Sequence, residues 1–320
     1  MTYAQVEAAR ARTTYRPAWP ISLDRTLRHL PRGRFDPSVR RLAAGHWWMA
    51  ARTAIGPASL EMFSPHVGEV RARAWGDGAE WIVDRLPLLL GVGDDVDGFD
   101  EAVAAGHPFV RQAWRRQQDS WRITSTGLVM HALVQAILEQ KVTGKESKRS
   151  WQRLLRDHGE VPPGPAPPGM FVMPTAPALQ RVPSWWWRTY DVDHSRSSTI
   201  IRAAQRADAV QGLADQPLPQ ARRALVSLPG VGVWTVAEVA GRALGDADAV
   251  SVGDYHLAKM VGYTLTGIPD GTDEQMLELL APYRGHRQRV IRLVESAGSK
   301  QPRRGPRITI PDRRPLVWGD

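Results

Sequence analysis

The stretch from Leu225 to Lys259, LVSLPGVGVWTVAEVAGRALGDADAVSVGDYHLAK, constrains the fold more than any other part of the chain. A helical pattern from Ala221 to Leu228 is stopped by Pro229 and Gly230. A second apolar-periodic run begins directly after Gly232, at Val233, Val236, Ala237 and Ala240. The spacing predicts helix, tight hairpin over 228–232, and helix. So short a hairpin needs glycine to turn and to let another backbone come close, and its amides then project from a helix N-terminus. Such a nest of N–H groups suits a phosphate.

The segment LPGVGVWTVAEVA followed by VSVGDYHLAK resembles the helix–hairpin–helix DNA glycosylase superfamily. There an LPGVG-type hairpin holds the DNA backbone and an aspartate at a set distance beyond it is catalytic. Gly232 to Asp254 is 22 residues, which fits that spacing. The pair Trp234-Thr235 resembles the branch of 3-methyladenine DNA glycosylase II. The resemblance covers roughly residues 125–297. It implies double-stranded DNA containing damaged bases as partner, Asp254 as the catalytic carboxylate, and Leu228, Gly230, Val231, Gly232 and Thr235 as DNA contacts. Bifunctional members carry a lysine in the helix after the hairpin, which forms a Schiff base with the sugar. That position is Trp234 here, which implies a monofunctional enzyme.

Blander readings of the same residues exist. A G-x-G opening a helix is half of a dinucleotide fingerprint, but here a helix rather than a strand precedes it and Thr235 stands where the third glycine belongs. Asp254, ahead of Tyr255-His256-Leu257-Ala258, also reads as a helix N-cap, and a capping aspartate can face a substrate as well. Three functions therefore stand: a monofunctional alkyl-purine glycosylase, a bifunctional oxidised-base (8-oxoguanine-type) glycosylase/lyase using another lysine such as Lys259, and a non-catalytic hairpin DNA-binding protein.

Net charge favours a polyanionic partner. The chain of 320 residues carries a formal +9, almost all of its positive charge as arginine, which contacts phosphate in a bidentate manner and stacks on bases. There is no cysteine, which excludes disulfides, thiol nucleophiles, zinc–thiolate sites and a four-cysteine iron–sulfur cluster. No secretory pattern and no run of about 18 apolar residues is present, so the expectation is a cytoplasmic, nucleoid-associated monomer without membrane contact.

The expected fold class is α+β, with a small N-terminal domain of antiparallel sheet plus helix followed by a mainly α-helical domain containing the hairpin. Residues 1–19 read as an extension, at least partly disordered, with a short helical pattern at Ala4 to Arg12. Residues 20–115 form the first domain, with strands at His46 to Ala54, Ser59 to Phe63, Glu69 to Trp75 and Trp81 to Leu86, the last two joined by a turn at Gly76-Asp77-Gly78. Residues 116–298 form the helical domain, and 299–320 a basic Pro/Arg-rich tail. Asp94-Asp95-Val96-Asp97 reads as a solvated acidic turn, Asp191-Val192-Asp193-His194 as a polar turn, and Pro162 to Pro183 as a surface linker. Thr272 to Gln275 is a capping box.

At AILEQKVTGKESKRSWQRLL, residues 136–155, the sequence resembles the superfamily's helix–turn–helix that wedges a residue into the DNA stack, with Gln140 and Lys141 at the turn. A solvated or phosphate-facing charge run reads equally well there. Electron-rich rings attract cationic methylated bases, and Trp185, Trp186, Trp187, Trp234 and Tyr255 are the pool for a base pocket. Superfamily members can hold a monovalent cation at the hairpin. No side chain here demands one, and no cofactor or metal is expected.

Overall fold

A computed structural model describes residues 8–298, so the tail at 299–320 and the first seven residues lie outside the described part. Strands β1 (Ala11–Tyr15), β2 (Val39–Ala43), β3 (His46–Arg52), β4 (Pro57–His66) and β5 (Glu69–Trp75) form one antiparallel sheet in the order β1-β5-β4-β3-β2. Alternation decides its faces. Trp47, Met49, Ala51, Leu60, Met62, Val70, Ala72 and Ala74 all turn to one side and pack on α1 (Leu23–Leu27) and α2 (Ala79–Asp84). Trp48 and Trp75 turn to the other, where their rings stack at 5.4 Å beneath Met170 and Val172.

Several expectations are corrected here. Of the helical pattern expected at Ala4 to Arg12, residues 4–7 lie outside the described part, 8–10 are not helical, and Ala11 and Arg12 open β1, which pairs with β5 from Ala11↔Ala74 to Tyr15↔Val70, so residues 11–15 supply an edge of the sheet. Trp81 to Leu86 is not a strand. Ala79 and Ile82, three apart, bury one face of α2 on the sheet, and Gly78 is its N-cap rather than part of a hairpin turn. The proline-rich segment is not a loose linker either: Val172 bridges Glu160, Phe171 N donates to Pro37 O, and α8 (Ala176–Arg181) follows.

The helical part contains α3 (Leu86–Leu89), α4 (Phe99–Ala105), α5 (Pro108–Arg115), α6 (Val129–Glu139), α7 (Gly144–His158), α9 (Ser184–Thr189), α10 (His194–Ala204), α11 (Ala207–Gln211), α12 (Leu218–Val226), α13 (Val233–Ala243), α14 (Leu257–Thr266), α15 (Asp273–Leu280) and α16 (Arg287–Ala297). Capping explains several starts: Thr143 and Glu146 form a capping box on α7, as Thr272 and Gln275 do on α15. Asp193 caps α10, as expected of a polar turn. The helices build two cores. One joins α6 to α13; the other joins α4 and α5 to α14, α15 and α16. The division at 115 therefore falls inside a packed unit, because Phe99, Val110 and Trp114 share a core with Tyr283 and Val290.

That second core closes on a buried ion pair. Arg289 donates to both oxygens of Asp94 at 2.7 and 2.6 Å, both side chains are fully enclosed, and the guanidinium lies 5.3 Å from the Phe99 ring. Asp94 is thus no solvated turn residue; its partner lies 195 positions away. Removing one member leaves the other charge buried without a counterion, which costs about 3–5 kcal/mol. Asp94→Ala should lose that much in urea unfolding, and Asp94→Ala with Arg289→Met should lose distinctly less.

Candidate functional site

The hairpin is held from inside by two apolar anchors, Leu228 and Val231, both buried in the core of α6 to α13. Its two glycines differ in what they require. Gly230 has φ +91°, and a Cβ there would lie 2.1 Å from Thr199 Oγ1, so the turn itself demands glycine. Gly232 is extended at φ −96°, and a Cβ there would meet open space. Nothing among the described residues requires glycine at 232. No side chain caps α13, so its first-turn amides face outward from an N-terminus with a positive dipole end.

Gln140, at the end of α6, donates to Gly230 O at 3.0 Å and to Thr235 Oγ1 at 2.9 Å, tying the turn after α6 to both the hairpin and α13. Thr235 is consequently a correction. It is 2% exposed with its hydroxyl oxygen facing Gln140, so it serves the interior and not a phosphate. Lys141 is exposed and sits at φ +54°, a left-handed conformation that costs a non-glycine residue on the order of 1 kcal/mol. The hairpin carbonyls of Leu228, Pro229 and Gly230 accept from Val231 N, Arg202 and Gln140 respectively.

Asp254 lies at the far end of the loop that follows α13. Its Oδ1 accepts from His256 N at 2.8 Å and Leu257 N at 2.9 Å, capping α14, while Oδ2 accepts from Trp234 Nε1 at 3.2 Å. The carboxylate is half-buried and fixed from two sides. Tyr255 beside it is exposed, with Lys259 Nζ 4.3 Å from its ring centroid and paired with Asp270 at 3.5 Å. Trp186 and Trp187, by contrast, leave the pocket pool: they are 3% and 2% exposed in the helical core, where Trp186 donates to Asp157. Trp185 points to solvent from α9, an element that does not form the Trp234–Asp254 pair.

One group of residues was not foreseen. Along α13, Trp234, Glu238 and Arg242 recur every fourth residue and so share a face. Glu238 accepts from Ser251 at 2.7 Å and lies 3.3 Å from Arg242 and 3.7 Å from Arg32. Arg32, from the loop after α1, also pairs with Glu139 at 2.9 Å and reaches Gln135 at 3.4 Å. Burial would push the Glu238 carboxyl up, but Arg242, Arg32 and Arg292 together with the Ser251 hydroxyl outweigh it and hold it at about 2. Glu139 is pushed up by its own burial. Two buried donors in the cluster, Arg32 Nη2 and Gln135 Nε2, have no partner. The sequence signal was available: Glu238 and Arg242 interrupt an otherwise apolar helix face.

No family model matches the chain, and no curated protein matches it in sequence. Solved structures do. The 3-methyladenine DNA-glycosylase from Archaeoglobus fulgidus is similar over 88% of this chain and 97% of its own, with a TM-score of 0.71 at 16% identity. The 8-oxoguanine glycosylase/lyase of Clostridium acetobutylicum in its apo form covers 88% and 98%, with a TM-score of 0.63 at 11% identity. The same enzyme has been seen in complex with double-stranded DNA containing cytosine opposite 8-oxoguanine, with a TM-score of 0.62 at 12% identity over 89% and 97%. The chain thus has the fold of the helix–hairpin–helix DNA glycosylases. Among the described residues no helix is long and apolar enough to cross a membrane, and no cluster of metal-ligating side chains occurs.

The unequal glycines generate a stability prediction. Gly230→Ala should lower the unfolding midpoint clearly, by roughly 1–3 kcal/mol of strain, whereas Gly232→Ala should leave it within about 0.5 kcal/mol of wild type. Equal losses in thermal or urea unfolding would contradict this account of the turn.

Proposed function

We propose that the protein is a monofunctional DNA glycosylase of base-excision repair, hydrolysing the N-glycosidic bond of flipped alkylated purines in duplex DNA. The observation that carries this reading is the Asp254 carboxylate, set between the α14 amides and the Trp234 indole on the helix that the hairpin begins. The arginine-rich positive net charge, the uncapped amides at the hairpin and the open side of Gly232 suit a DNA backbone that approaches closely. The reading takes one chain, acting alone on DNA in the cytoplasm, without a cofactor or a hairpin cation.

The chemistry follows from the site. A target base inside the duplex is out of reach, so the nucleotide is flipped and its face meets aromatic rings. Trp234 and Tyr255 are the remaining candidates, and both rings attract a cationic methylated base. The C1′–N bond breaks with its electron pair going to the base, which already carries positive charge and departs neutral. Positive charge grows on the sugar. The Asp254 carboxylate stabilises it without reorganising, because its two oxygens are already positioned, and can take the proton that water loses on attacking C1′. The product is an abasic site in an intact strand.

A lyase step needs an amine at the sugar. Trp234 puts an indole in the first turn of α13, and Lys259 is engaged with Tyr255 and Asp270. Incubation with damaged duplex should therefore yield no strand break until alkali or heat is applied, and borohydride should trap no covalent complex. A trapped complex would move the reading to an oxidised-base glycosylase/lyase.

Two substitutions test the remainder. Gly232→Asp sets a negative charge where the backbone would approach, and should weaken binding to damaged and undamaged duplex alike. Asp254→Asn keeps the cap on α14, since Asn caps about as well as Asp, yet removes the charge opposite the sugar. Single-turnover release of a methylated purine should fall by a factor of roughly 10²–10³, with DNA affinity retained. Unimpaired release would leave Asp254 as a cap and the protein as a DNA-binding module.

A further inference from the structure

The face of α13 that presents Trp234 to Asp254 continues to Glu238 one turn further and to Arg242 the turn after that. The loop carrying Asp254 runs beside it, so that Ser251 touches Glu238 as Asp254 touches Trp234. Elements from elsewhere converge on the same place: Gln135 and Glu139 from α6, Arg32 from the loop after α1, and Arg292 from α16, whose charge acts on Glu238. A helical turn is about 5.4 Å, comparable to the reach of a purine from its sugar bond to its Watson–Crick edge. A base whose C1′ lies at Asp254 and which points along α13 sets that edge against Glu238.

Resting on the glycosylase reading, we propose that Glu238, with the unpartnered N–H donors of Arg32 and Gln135, reads the Watson–Crick edge of the flipped base and selects guanine-derived over adenine-derived lesions. Guanine shows one acceptor, O6, and two donors, N1–H and N2–H₂, along that edge; adenine shows a donor at N6 and an acceptor at N1. A carboxylate accepts from N1–H and N2–H₂ together, while a neighbouring N–H group donates to O6. Against adenine the same carboxylate meets the N1 lone pair.

Glu238 has capacity to spare for this. A carboxylate offers about four lone-pair sites, and Ser251 takes one at 2.7 Å, while the Arg242 contacts are long at 3.3 and 3.4 Å. Its side chain is intermediate in burial, at 16% exposure. The bland alternative is a buried ion network that only ties the first domain to α13. Such a network matches most of its buried donors. This one leaves Arg32 Nη2 and Gln135 Nε2 without acceptors although both residues are more than nine-tenths buried. A small cavity of about 30 Å³, lined among others by His131, Gln135 and Arg242, shows that packing beside it is not complete.

The test compares duplexes carrying 7-methylguanine, 7-methylhypoxanthine or 3-methyladenine under single-turnover conditions. With wild-type protein, deleting the N2 amino group by passing from 7-methylguanine to 7-methylhypoxanthine should slow release about tenfold, a comparison that needs no altered protein. Glu238→Gln should slow 7-methylguanine release by about ten- to a hundredfold and alter 3-methyladenine release by less than about threefold. Equal losses on the two lesions would make Glu238 a structural residue and overturn the proposal, as would insensitivity of the wild type to the N2 amino group. Absence of any Asp254-dependent release from all three duplexes would instead defeat the glycosylase reading on which it rests.

Discussion

Everything at the site depends on how one carboxylate is held. Asp254 accepts the His256 and Leu257 amides at the start of α14 through one oxygen and the Trp234 indole through the other, so it joins the helix that starts after the hairpin to the helix that starts after the loop. A side chain with three donors does not sample rotamers freely, and the two helix starts are thereby kept in register. The capping role and the proposed chemical role do not compete. The cap is what removes the reorganisation that a surface aspartate would need before meeting a developing positive charge.

The hairpin and its aspartate were legible in the sequence because both are local. Pro229 cannot continue a helix, Gly230 must take a positive φ, and Asp254 precedes a helical run, so each follows from a few neighbouring residues. The capping box at Thr272 was legible for the same reason. The strand along Glu69 to Trp75 was legible likewise, and its outer face is partly covered because Met170 and Val172 return from the proline-rich segment to close over Trp75.

What was not legible depended on partners far along the chain. An aspartate among aspartates looks solvated until Arg289, in the last helix, arrives to pair with Asp94. Residues 11–15 look like an extension until β5 offers them an edge. Thr235 reads as a surface hydroxyl in the first turn of a helix, and only the arrival of Gln140 from α6 turns it inward. Three adjacent tryptophans looked like candidates for a cleft, but α9 lies on the core, so two of the rings are consumed by packing and one is left in solvent. In each case the local pattern was compatible with two environments, and tertiary contact chose between them.

The charged cluster behind Trp234 raises a question of stability. Burying Arg32, Arg242, Glu139 and Glu238 together costs more desolvation than their mutual attraction returns unless geometry and hydrogen bonding are close to ideal, and a well-packed apolar face is often as stable or more so. Here the contacts of Glu238 with Arg242 and Arg32 are long, and two donors are unmatched. The same roughly three turns of helix could have continued as Val and Ala, as another side of α13 does at Val236, Ala237 and Ala240. Under the proposed reading, a ligand that completes their hydrogen bonds accounts for charges kept at that cost one helical turn from Trp234, the partner of Asp254.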